Sequence, residues 1–170
     1  MAENDKLECL RRLQDVLSRK FELESQVETI PADLRHEEHV LEHERNKLEE
    51  LEEKFKNVTE EVKSLSIKYE DAFNTRTGYE KQMEFLNTQR EYEAMSKQLD
   101  EAKVQESSLL RLRNSKIQET ETVGKELEAQ KVIVEEQTAK VSEEKGRIDS
   151  ILDDVKRQIA ETDAECEEIK

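Results

Sequence analysis

The chain has 170 residues, of which 42% are charged, with a formal net charge of -15, three glycines, one proline and no tryptophan. A globular domain of this size carries a thicker apolar core, whereas a coiled coil needs only two apolar positions per heptad. Acidity on this scale excludes nucleic-acid binding by this segment through phosphate neutralisation, which requires a basic surface.

Low hydropathy with high net charge is also the signature of disorder, so periodicity has to decide. From Glu3 to Ile30 the apolar series is Cys9, Leu13, Val16, Leu23, Val27 and Ile30, alternating between spacings of three and four around a polar Lys20. Leu7, Leu10, Leu17 and Phe21 widen that stripe, which predicts an exposed apolar patch at Leu10, Leu17 and Phe21 or a second packing neighbour, a second copy of the chain being one candidate. Pro31 then removes an intrahelical hydrogen bond and clashes with the preceding turn, so a first helix over about 3–30 is expected to kink or break there.

Beyond it, Leu34, Leu41, Leu48, Phe55, Val62, Tyr69 and Met83 recur in sevens, and Leu51, Val58, Leu65, Ala72, Tyr79 and Leu86 form the partner series. Together they predict a helix over about 32–85. Glu37, Glu44 and Arg76 interrupt the seam, as polar residues that weaken a coiled coil but fix its register. Asn74 to Gly78 is the poorest helical stretch of this segment.

A bend is placed at residues 86–91, because the apolar heptads mirror one another on either side of it. The seam resumes with Tyr92, Met95, Leu99, Ala102 and Leu109, thins through Arg113, Lys116 and Thr120, and strengthens again from Val123 to Ile169, giving a helix over about 91–169. Pairing Leu86 with Tyr92 sets Phe55 beside Val123, Leu51 beside Leu127, Ile30 beside Ile148, Val27 beside Ile151 and Leu23 beside Val155. The same register brings Pro31 opposite Arg147 and Gly146, a point where glycine would ease a close approach and a kink of the helix pair. The fold class that follows is all-α: one long kinked antiparallel coiled-coil hairpin over residues 1–170, each arm about 120 Å at 1.5 Å per residue. An alternative folds the first segment back as a third helix at Pro31.

Enzymatic chemistry has little to stand on. His39-Val40-Leu41-Glu42-His43 matches the His-x-x-Glu-His pattern of a class of zinc peptidases, but that chemistry also needs a third ligand, an open coordination position and a pocket that excludes water. His36, His39 and His43 lie just off the seam among glutamates, the pattern of a solvated charged face. Cys9 and Cys166 are the only cysteines, too few for a zinc site and lacking a Cys-x-x-Cys. No stretch approaches the roughly 20 apolar residues of a membrane span, and Met1–Lys6 is unlike a signal peptide, so a cytoplasmic location with free thiols is expected.

The stretch around the bend carries a motif. Asn87, Thr88, Glu91, Tyr92, Ala94 and Met95, followed by Leu99 and Ala102, resemble the Asn-Thr-x-x-Glu-Tyr-x-Ala-(Leu/Met) hairpin signature of the bacterial coiled-coil/C4-type zinc-ribbon proteins. Asn87 and Thr88 suit a bend and an N-cap, and Glu91 lies three residues after Thr88, as in a capping box. The resemblance implies a non-enzymatic adaptor or chaperone, whose partners would be the sigma-54 factor and components of type III secretion or flagellar assembly such as the export ATPase. It also implies a C-terminal four-cysteine zinc ribbon, which these 170 residues do not contain; zinc is expected only with that ribbon, and no cofactor in this segment. Glu168-Ile169-Lys170 falls inside a helical pattern without a stop signal, so the expectation is that the full-length protein continues. The other function class is a structural spacer or oligomerisation rod that only holds its ends apart.

Overall fold

The computed structural model describes residues 2–169; Met1 and Lys170 lie outside the described residues. Two long helices account for almost all of the chain, α1 at Ala2–Met83 and α2 at Gln89–Ile169, and no strand occurs among the described residues. The chain divides into two compact units, one of Met1–Arg45 with Val132–Lys170 and the other of Asn46–Lys131. Both helices contribute to each.

In the first unit the helices pack antiparallel. Cys9 Sγ donates to the Ile169 carbonyl at 3.8 Å, Lys20 pairs with Asp163 at 2.5 Å, and Lys140 with Glu37 at 2.9 Å. Leu13, Val16, Leu23, Val27, Ile30, Leu34 and Leu41 turn their side chains inward, as do Val141, Ile148, Val155, Ile159 and Cys166 from α2. These are the spacings of three and four that keep one helix face on its neighbour. Thr162 is almost fully buried and donates to the Gln158 and Ile159 carbonyls, so its hydroxyl enters the core already satisfied.

Pro31 sits inside α1 rather than between two helices. The first segment therefore belongs to the same helix as residues 32–83 and lies on the end of α2, not folded back as a third helix. At Gly146 an added Cβ would meet nothing within 4 Å, so the close approach that glycine was expected to ease is not seen at this position.

The second unit repeats the antiparallel arrangement, with Lys116 against Glu61 at 3.0 Å and Arg76 against Glu106. Val58, Leu65, Leu99, Ala102, Val123 and Leu127 form its core. A Cβ added to Gly124 would lie 3.4 Å from Phe55 Cε2, so the phenyl ring packs against α2 one residue from Val123, its expected neighbour. Asn74 to Gly78 stays helical, with Thr75 and Thr77 hydroxyls bonding back to the carbonyls of Asp71 and Phe73 at 2.9 and 2.8 Å.

Candidate interaction surfaces

Residues 84–88 connect the helices. The last turn of α1 tightens, Glu84 N–H donating to Lys81 O at 3.3 Å and Phe85 N–H to Gln82 O at 3.1 Å, which satisfies carbonyls left over at the helix end. No described residue has a positive φ, so the chain passes from one helix to the other without a left-handed residue and needs no glycine here. Thr88 starts α2. Glu91 N–H donates to Thr88 Oγ1 at 3.3 Å, and Tyr92 N–H to Thr88 O at 3.1 Å. That is the N-cap half of a capping box; the reciprocal bond from Thr88 N–H to the Glu91 carboxylate is not among the hydrogen bonds of the described residues. Helix α2 begins at Gln89, two residues before the start expected at about 91.

The signature residues fall on the connection and the first turns of α2. Asn87, Thr88, Glu91 and Ala94 are exposed and Met95 is half-buried. Tyr92, expected to open the returning seam, is instead 50% exposed. Because α1 ends at Met83, the first turn of α2 has no helical surface opposite it, and inward packing begins with Met95 and Leu99. Phe85, which the heptad reading passed over, is 78% exposed. Its position off both apolar series of the adjoining helix was the available signal.

Within the second unit the seam also holds a charged stretch. Tyr69 and Phe73 rings lie 6.5 Å apart, the Arg76 guanidinium sits 5.0 Å from the Phe73 ring, and Arg113 sits 5.6 Å from the Tyr69 ring. Arg76 donates to both carboxylate oxygens of Glu106 and to Glu80 at 3.1 Å, which holds it more firmly protonated than an isolated arginine. Lys116 bridges Glu119 and Glu61, raising its own pKa, and it lowers that of Glu119. These contacts give polar groups at seam positions their partners from the neighbouring helix. Arg113 Nε is buried without a hydrogen-bond partner, and its guanidinium lies over the Tyr69 ring.

The first unit presents a different surface. Leu10, Leu17 and Phe21 are 62%, 49% and 73% exposed, with Leu7 also exposed, and they line a shallow apolar depression together with Leu13 and Gln14. Near the middle of the same unit Glu37 accepts from Gln137 Nε2 at 2.7 Å and Lys140 Nζ at 2.9 Å, and these bonds push its carboxyl below the usual carboxylate range.

His36, His39 and His43 are exposed, and His39 Nδ1 lies 3.9 Å from a Glu42 carboxylate oxygen. Among the described residues no group of three or more His, Cys, Asp or Glu side chains is placed to hold a metal ion, and no helix is long and apolar enough to cross a membrane. Cys9 is exposed, Cys166 is buried, and both are free thiols. Comparisons with protein-family models, curated proteins and solved structures return no match.

Proposed function

We propose that the chain is a protein-binding adaptor that presents its interhelical connection to a partner. The carrying observation is the pair of aromatic side chains, Phe85 and Tyr92, left largely exposed on either side of the Asn87-Thr88 connection. Aromatic anchors of this kind supply much of the energy at protein interfaces when a partner buries them. The signature residues Asn87, Thr88, Glu91, Tyr92, Ala94 and Met95 lie on the same short stretch, and their resemblance to the zinc-ribbon adaptors nominates sigma-54 and export-ATPase-like secretion components as partners, in the cytoplasm. In this reading the connection is a bend, Pro31 and Gly146 ease a kink, and zinc belongs to a ribbon outside these residues.

A second reading, a structural spacer, is favoured by the near-equal lengths of the helices, 82 and 81 residues. Binding of the chain to sigma-54 and to the export ATPase of the same organism separates the two. The adaptor reading expects Tyr92→Ala with Met95→Ala to weaken binding about ten-fold or more at unchanged helicity. Absence of binding, or binding indifferent to both changes, favours the spacer.

A further inference from the structure

The first segment of α1 carries two apolar faces, and only one of them is used inside the chain. Leu13, Val16 and Leu23 face α2, whereas Leu7, Leu10, Gln14, Leu17 and Phe21 form a second stripe at spacings of three and four, about 120° round the helix at 3.6 residues per turn. Such spacing is a helix-packing seam in its own right. Four of its five members are large apolar side chains, and together they expose on the order of 500 Å².

We propose that this stripe is the interface of an antiparallel homodimer, with a two-fold axis passing beside Gln14. Gln14 lies midway between Leu7 and Phe21, so reversing the helix about it sets Leu7 against Phe21 of the second copy, Leu10 beside Leu17 of the second copy, and Gln14 against itself. An amide donates and accepts, so two copies of Gln14 satisfy each other across an axis. Lys6 and Glu24 share one flank of the stripe, and the same reversal brings Lys6 of each copy to Glu24 of the other, twice by symmetry. A parallel pair would instead set Lys6 near Arg11 of the second copy, a like-charge contact. The apolar area doubles to roughly 1,000 Å², and polar flanks bring the total to the range of specific interfaces. A lipid surface fits poorly, since Glu24 on the flank and Glu28 in line with the stripe place negative charge where anionic headgroups attract lysine and arginine. The inference is independent of the connection as a docking site, because Leu10 and Phe21 are far in sequence from Phe85 and Tyr92 and lie in the other unit.

Sedimentation equilibrium of the 170-residue chain tests it. The expected result is a monomer–dimer equilibrium that Leu17→Glu shifts about ten-fold or more toward monomer, with unchanged helicity because Leu17 does not face α2. Lys6→Glu and Glu24→Lys should each weaken association, and the two together should restore it. A 20 kDa species at all concentrations up to several hundred micromolar overturns the proposal. So does a dimer that Leu17→Glu leaves intact. A dimer lost with Leu17→Glu but not rescued by the double charge exchange overturns the antiparallel pairing.

Discussion

Glu37 and Arg76 occupy positions that a coiled-coil seam ordinarily gives to apolar side chains, and each is answered from α2: Glu37 by Gln137 and Lys140, Arg76 by Glu106. The polar seam residues were legible as interruptions, since both fall on a heptad of otherwise apolar positions. Their partners were not, because Gln137 and Glu106 read as ordinary surface residues until two helices are set side by side. The Glu37 carboxylate is favoured by its bonds to Lys140 and Gln137, so its pKa lies below the usual range. A depressed carboxylate contributes stability above the pH at which it would ordinarily titrate, and that contribution is lost as pH falls through its own lowered pKa. In an NMR titration Glu37 should therefore protonate below the usual carboxylate range, and Lys140→Ala should move it back toward that range. A Glu37 that titrates within the usual carboxylate range would contradict the pairing. Tyr92 taught the opposite lesson: its place in the heptad was legible, but its exposure depends on where α1 stops, and capping and turn chemistry rather than the heptad set that point.

Along each helix, alternating spacings of three and four decide which side chains matter for stability. Leu65 and Ile67 are two residues apart in α1, yet Leu65 is 9% exposed and Ile67 is 62% exposed. Leu65→Ala should cost about 2–3 kcal/mol through lost burial and the cavity left behind, while Ile67→Ala should stay within about 0.5 kcal/mol. Chemical denaturation of the two variants checks the contrast, and equal losses would contradict the assigned seam. Pro31 was legible as a disturbance, but its outcome was not. A proline breaks a helix unless tertiary packing on both sides holds the turn, and here Ile30 and Leu34 are anchored in the seam next to it. The missing N–H bond and the ring clash still cost free energy, so Pro31→Ala should stabilise the chain by about 1–3 kcal/mol and raise its Tm. A loss of stability would mean that the proline conformation itself is required.

At the scale of the whole molecule, composition and heptads were enough to read an all-helical chain whose two long helices pack together, because a chain with so few apolar residues can bury them only along a narrow seam. Function was less legible. It rests on what the seam leaves uncovered, namely Phe85 and Tyr92 at the connection and Leu10, Leu17 and Phe21 in the first segment, and exposure cannot be read until the pairing is known. Every surface assigned to a partner or a second copy thus depends on which residues of α1 lie against which residues of α2. Zero-length carbodiimide coupling of the dilute wild-type chain, followed by digestion and mass spectrometry, tests that pairing directly, since it joins only lysines and carboxylates already in contact. The expected intrachain links are Lys20 to Asp163, Lys140 to Glu37 and Lys116 to Glu61. Links from these lysines to acidic residues a heptad or more away on the opposite helix would contradict the account.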